Sequence, residues 1–400
     1  MSPKEKILLI CNFAIYGLIT FFSYSYVDLN LTISQNKFIL TFVNFMQKLG
    51  YFNRPYATFI YLILIAIAFI FFSYNLWLFS KNKVGLQYLK LSVIMNVLVL
   101  IFAYPFLSSD LFNYLFDAKI ILNYHANPYT HRPLDFPQDE WLRFMRWVHR
   151  YSPYGPLWLG FSLIPAVLGF GKFILNFFTF KIFMGIFHLI NSYLIFKILG
   201  KIRPKYQLLG TCFYAVNPTL LIEGVVNAHN DVVLATFLIA TVYFLVLKKN
   251  VFSYIFLVVG TLIKYVPILN LPWLFWATFF KRGNIQKFIV LNLVTMSIFT
   301  YVFSSFKISV PFISSGATQV QFQAWYLFWA LPLVALVSNL NLIAIGMAVS
   351  FGAALRYLPF LYFGDWSHEG TILFMELVTL IPILLSILIF IAKKNRKISR

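Results

Sequence analysis

Apolar stretches long enough to cross a lipid bilayer follow one another along almost the whole chain, and that succession rules out most folds. Residues 5–27, 56–80, 91–107, 174–199, 206–224, 231–247, 285–304, 340–357 and 370–392 each supply the roughly 17–25 residues that a helical crossing needs. Three shorter stretches, 251–264, 266–280 and 323–338, predict bent or partial spans. No single soluble core could bury this much apolar side chain: 60% of the 400 residues are hydrophobic, 11% are charged, and mean hydropathy is +0.79. Lipid is the solvent such a chain requires, and a helix satisfies its own backbone there. The expected fold class is therefore all-α, a polytopic membrane protein. It forms one domain over residues 1–400, since no internal repeat, low-complexity linker or shift in composition divides it.

Charge orients the spans. The formal net charge is +20, but the basic residues fall in short clusters between apolar runs instead of along one soluble face. That distribution argues against nucleic acid and for anionic membrane lipids as the partner. Lys4/Lys6, Lys81/Lys83/Lys90, Lys197/Lys201/Arg203/Lys205, Lys248/Lys249, Lys281/Arg282/Lys287 and the tail from Lys393 to Arg400 must share the cytoplasmic side. Both termini are then cytoplasmic, in the cytoplasmic membrane, with about twelve spans. The apolar run at 5–27 lacks a small-residue cleavage site and reads as a retained first helix. Cys11 and Cys212 lie inside apolar segments, where they act as small hydrophobes with no reason to pair.

One stretch breaks the parity. Residues 154–170 are apolar enough to span, yet counting them would push the Lys197–Lys205 cluster outside, and they carry Pro156, Pro165 and several glycines. The consistent solution is an interfacial helix within an outer loop running from residue 108 to about 173, with Arg143, Arg146 and Arg150 at headgroup level. A smaller outer loop, 28–55, is expected to hold an amphipathic interfacial helix at 38–49, and others follow at 224–231, 305–322 and 357–369.

Candidate chemistry collects on the outer side. Asp110, Asn113, Tyr114 and Asp117 fall at i, i+3, i+4 and i+7 and so share a helix face, and Asn127-Pro128-Tyr129 follows. A carboxylate where a helix leaves the membrane asks for a reason, although Ser109 or Asp110 capping that helix would supply one. The turn Glu223-Gly224-Val225-Val226-Asn227-Ala228-His229-Asn230-Asp231 packs carboxylates, an imidazole and amides between two spans. Such a turn suits a phosphate or sugar hydroxyls, whereas Asn230 or Asp231 could merely cap the next helix. Lys264 interrupts apolar sequence, either as a snorkelling lysine or as a fixed cation for a lipid phosphate. Lys181 and His188, seven residues apart on one face, are expected to pair with Glu223 or Asp231 in support of the site. Trp325 and Tyr326 belong to an aromatic belt or stack on a sugar. His125, His131 and His149 with Asp135, Asp139 and Glu140 lack the spacing of a metal site, and no nucleotide-binding fingerprint is present.

The order Ser108-Ser109-Asp110-Leu111-Phe112-Asn113-Tyr114, Asn127-Pro128-Tyr129, Tyr154-Gly155-Pro156-Leu157, Asn217-Pro218 through Ala228-His229-Asn230-Asp231, then Lys264 and Trp325-Tyr326 resembles the bacterial and archaeal polyprenol-phosphate-mannose-dependent mannosyltransferases, which are GT-C-type membrane glycosyltransferases. The resemblance implies an acidic catalytic base at the start of a major outer loop, and Asp110 matches that position. It also implies interfacial helices in the loop and a lipid-linked sugar donor, with mannose as the family's default. One departure is that three expected spans precede Asp110 rather than one, so motif order and not chain position identifies it.

The expected reaction is transfer of a hexose from a polyprenyl-phosphate sugar to a hydroxyl of a glycan or lipid acceptor on the extracytoplasmic face, with inversion. Asp110 would be the base. Asn113, Tyr114, Asp117, Asn127, Tyr129, Glu223, Asn227, His229, Asn230, Asp231, Lys264, Trp325 and Tyr326 would bind substrate. No cofactor is called for, and nothing supports a divalent metal. A transporter or flippase of lipid-linked sugars is the alternative, since polar residues in spans also mark substrate pathways.

Overall fold

The computed structural model describes residues 1–280, 284–300, 322–366 and 369–398. Lys281, Arg282, most of the loop expected at 305–322, and the last residues of the basic tail lie outside the described residues. Among those described, every regular element is helical.

In chain order the α-helices are α1 (Pro3–Ser23), α2 (Lys37–Gln47), α3 (Arg54–Ser80), α4 (Leu86–Leu100), α5 (Asp110–Leu122), α6 (Pro156–Leu168), α7 (Phe173–Ile202), α8 (Gln207–Ala215), α9 (Pro218–Leu221), α10 (Asp231–Val246), α11 (Asn250–Ile263), α12 (Leu271–Phe275), α13 (Ile285–Ile298), α14 (Leu327–Val337), α15 (Leu340–Leu355), α16 (Leu358–Phe363) and α17 (Glu369–Ile398). Among the described residues, four stretches are long and apolar enough to cross a membrane unaided: Pro3–Tyr26, Arg54–Ser80, Phe173–Ile202 and Leu340–Phe363. The bent pair Pro204–Ala215 and Pro218–Val226 is long and apolar enough only when its two halves are taken together, as a broken span or a re-entrant loop. The remaining apolar helices are shorter, and α10 is surrounded by α7, α11 and α14. Being apolar all round, α10 reads like a span while its sides meet protein.

Two differences from the expected spans have local causes. The stretch 91–107 is helical only to Leu100; Pro105 restricts Tyr104 before it, and Ala103, Tyr104, Phe106 and Leu107 are buried in turns. Its apolar character comes from protein packing. The stretch 206–224 breaks at Asn217, which precedes Pro218 and whose Oδ1 accepts from the amides of Thr219 and Leu220, so that a second helix starts at a bend of 50°. The stretch 154–170, expected to form a helix that does not span, contains α6, whose 13 residues give a rise of about 20 Å, too short for the hydrocarbon core.

Gly155 sets where α6 begins. Its amide donates to the Ile263 carbonyl at 3.0 Å, and a Cβ there would lie 2.1 Å from the Leu262 oxygen. Only glycine lets the start of α6 come this close to the end of α11, and Lys264 is the residue after that end. The helix expected at 38–49 is present as α2.

Candidate functional site

The site grows out of the break at Asn217. After α9 the chain makes a widened turn over Ile222–Val226, then passes Ala228 at φ +58° before α10 begins. A left-handed alanine costs roughly 1–2 kcal/mol, so the surrounding packing has to hold this turn in place. Such a break frees backbone carbonyls inside the protein, and α7 answers them. Lys181 donates to the carbonyls of Val225 and Val226, His188 Nε2 meets Ala215 O at 2.9 Å, and Asn191 donates to Val232 O at 2.9 Å. The expected pairing of Lys181 and His188 with Glu223 or Asp231 is therefore corrected. An irregular backbone buried inside the protein has the more urgent need for donors, and these side chains meet it.

That support presents a line of charges. His229 is fully buried between two carboxylates, with Nδ1 3.4 Å from Asp110 Oδ2 and Nε2 3.3 Å from Glu223 Oε2. Trp325 stacks on its ring at 3.9 Å. Glu223 is held further by Asn227 Nδ2 at 3.1 Å and by the Tyr357 hydroxyl at 2.9 Å, while Asn227 Oδ1 accepts from the Leu107 amide. Beside this line, Lys264 Nζ lies 2.6 Å from Asp231 Oδ2, and Trp329 Nε1 donates to Asp231 Oδ1 at 2.7 Å. Tyr326 stacks on Trp329 at 4.2 Å. Of the two aromatics read from the sequence, Trp325 backs the charged residues directly and Tyr326 does so through Trp329.

Capping does not explain these residues. Ser109 precedes α5 without a side-chain capping bond, and the Asp110 carboxylate faces His229. Asn230 stands at the cap of α10 and makes no capping bond either, and Asp231 is committed to Lys264 and Trp329. The Asp110 side chain remains 22% exposed, as does that of Lys264, whereas Glu223, His229 and Asp231 are closed off. Asp110 Oδ1 has no protein partner among the described residues.

Electrostatics fix the protonation states. Burial alone would lower the His229 imidazolium, but Asp110 and Glu223 outweigh it and push its pKa up to about 9. Burial would likewise raise Asp110; the adjacent imidazolium of His229, with Lys264 and Arg150, outweighs it and holds the carboxyl below its ordinary value. At neutral pH the pair is an imidazolium and an ionised carboxylate.

Other sequence candidates sit around this core. Tyr114 is buried and its hydroxyl accepts from the Asn230 amide at 3.3 Å, tying α5 to the start of α10. Asn113 and Asp117 lie on the same face of α5 as Asp110. Asn127 Oδ1 accepts from the Tyr129 amide at 3.0 Å, and the Tyr129 hydroxyl donates to Tyr154 O at 2.7 Å, so both organise the loop. Asp139 is bound by Lys119 at 2.5 Å and by Tyr124, and Asp135 by Arg132 at 3.4 Å. Among the described residues no group of three or more His, Cys, Asp or Glu is placed to hold a metal ion. Sequence reasoning missed Trp329 and Tyr357. Trp329 follows Trp325 and Tyr326 in the same aromatic stretch, and Tyr357 ends an apolar span beside Arg356; neither neighbourhood signals a carboxylate partner.

Residues 32–280 match the sequence profile of the MptA_B family, described as alpha-(1->6)-mannopyranosyltransferase, N-terminal domain. The match covers well over half of the chain and contains Asp110, Glu223, His229, Asp231 and Lys264. The chain belongs to this family. It is a mannosyltransferase, a membrane glycosyltransferase of helical architecture. No curated protein and no solved structure matches it significantly. Trp325, Trp329 and Tyr357 lie beyond the matched residues, so in this mannosyltransferase side chains from the C-terminal part of the chain contact the charged residues of the matched part.

Proposed function

We propose that the protein transfers mannose from a polyprenyl-phosphate sugar to a hydroxyl of a glycan or lipid acceptor at the extracytoplasmic face of the membrane, inverting the anomeric centre, with Asp110 as general base. The acceptor oxygen attacks C1 of the mannosyl group and the bond from C1 to the phosphate oxygen breaks. The acceptor proton goes to Asp110, and the polyprenyl phosphate leaves with the bonding pair. Inversion of a β-linked donor gives the α linkage in the family's description.

The observation that carries the base role is the asymmetry of the Asp110 carboxylate. One oxygen faces a buried cation, and the other has no partner among the described residues and sits on a partly open side chain. A base needs to be ionised, oriented and within reach of the hydroxyl, and this arrangement favours all three. Lys264 is the candidate donor to the departing phosphate. Asp231 engages one of its three N–H groups and fixes the ammonium, and the others can turn to the ligand.

The outward face is supported by helix direction. Lys90 is near the start of α4, which leads toward Asp110; Lys201 is in the last turn of α7; and α10 runs from Asp231 to Val246, a rise of about 24 Å, with Lys248 just past its end. The basic residues are thus at the helix ends away from the site, and basic ends stay cytoplasmic.

The test is to supply purified protein in lipid with radiolabelled polyprenyl-phosphate mannose or with GDP-mannose, together with an oligomannoside acceptor. Label in the acceptor from the lipid donor alone is the expected result. Transfer from the soluble nucleotide donor alone would contradict it.

A further inference from the structure

Buried polar atoms without hydrogen-bond partners run along α5 away from the catalytic carboxylate. Asn113 Oδ1, Asp117 Oδ2, Ser152 Oγ and Trp158 Nε1 are all in this condition among the described residues. Asn113 and Asp117 are three and seven residues beyond Asp110 and share its helix face, so the strip extends roughly 10 Å from Asp110 by helix rise. The Ser152 hydroxyl is close enough to the Asp117 carboxyl to favour its charged form, without a hydrogen bond of normal geometry between them, and Tyr154 is in electrostatic contact with Asp110, Tyr114 and Asp117 together. Tyr114 packs edge-on against both Tyr154, at 5.0 Å, and Trp158, at 4.7 Å. These observations place the unpartnered atoms around one aromatic cluster.

Each such atom costs about 1–3 kcal/mol of stability when unmet. A merely structural role would be served better by apolar side chains of the same shape. The set holds acceptors and donors but no cation, which ill suits a phosphate. It suits a neutral ligand carrying adjacent hydroxyls. Burial pushes the Asp117 carboxyl up to about 7, against the Ser152 hydroxyl, so near neutral pH this side chain can donate as well as accept.

We infer that Asn113, Asp117 and Ser152 form a hydroxyl-binding subsite that holds a sugar ring beside Asp110. This rests on the proposed glycosyl transfer and adds to it where the sugar lies. The ring belongs either to the acceptor glycan or to the donor's mannosyl group; both present the same chemistry, and kinetics separates them.

The experiment measures KM for polyprenyl-phosphate mannose and for an oligomannoside acceptor with Asp117→Leu and Ser152→Ala protein, alongside thermal unfolding. A rise of tenfold or more in the acceptor KM assigns the subsite to the acceptor, and the same rise in the donor KM assigns it to the mannosyl group. Either is the expected result, together with an unfolding temperature equal to or above the starting value, because an unmet buried group has been removed. Both KM values within twofold in both variants would overturn the subsite. If Asp117→Leu yields no folded protein, Ser152→Ala, which removes one hydroxyl, carries the test alone. Should the starting protein prove to use a different mannosyl donor, the proposed function fails while the same two KM values, measured with that donor, still decide the subsite.

Discussion

Nε2 of His229 lies 3.3 Å from the Glu223 carboxylate, and both side chains are buried. Glu223 therefore acts on Asp110 from the far side of the imidazole: it stabilises the imidazolium, whose Nδ1 in turn holds Asp110. Two carboxylates share one proton-bearing ring, and that sharing sets the pH range in which the site is correctly charged.

The pH dependence follows from these shifts. His229 has its folded pKa raised to about 9, above the ordinary 6.5, so its contribution to stability is complete below 6.5 and is lost as pH rises through 9. Asp110 has its folded pKa lowered, so its contribution is present above its ordinary value and is lost as pH falls through the folded one. Transfer should thus show a basic limb near pH 9. Glu223→Gln removes one of the two carboxylates and should move that limb toward lower pH, with a fall in kcat. A pH profile of kcat for the variant with an unmoved basic limb would dissociate Glu223 from His229.

Lys264 and Asp231 form a pair with one member closed off from solvent. Lys264→Ala leaves the Asp231 carboxylate with Trp329 alone and should cost about 3 kcal/mol of stability, as breaking a buried pair does. It should also raise the donor KM while leaving that for the acceptor nearly as before. Thermal unfolding checks the first effect and donor titration the second.

Gly155→Ala probes how α11 positions Lys264. The added methyl meets the Leu262 carbonyl, a backbone atom that cannot turn aside. The helices must separate, at a cost of about 1–3 kcal/mol, and donor affinity should fall although no charged residue has changed. Unaltered unfolding and an unaltered donor KM would show that this contact does not set the site.

Lys181→Met tests the support beneath the turn. The variant keeps the length of the side chain and removes its donors, so the carbonyls of Val225 and Val226 lose their partner. A loss of about 1–3 kcal/mol is expected. The checks are the unfolding temperature and the yield of folded protein from membranes.

Much of this was legible in the residues. The amphipathic run before Leu49 reads as a helix because its apolar side chains recur at helical spacing, and the prolines and glycines around α6 mark a segment too broken to span. Asp110, His229 and Lys264 stand out because ionisable groups amid apolar runs are expensive. What the sequence hides is partnership across distance. Hydropathy alone does not separate a buried turn such as 101–107 from lipid-facing helix, since both exclude water. Nor does it show that Lys181 answers a backbone break 44 residues away, or that Tyr357 reaches Glu223 from 134 residues away. Those contacts exist only once the helices have packed.

The most direct measurement is single-turnover transfer of mannose from polyprenyl-phosphate mannose by Asp110→Asn protein. The change keeps the size of the side chain and removes the base. The rate should fall on the order of 10²–10⁴-fold, the usual worth of a general base, with donor binding retained. Transfer at close to the original rate by correctly inserted Asp110→Asn protein would contradict Asp110 as the base.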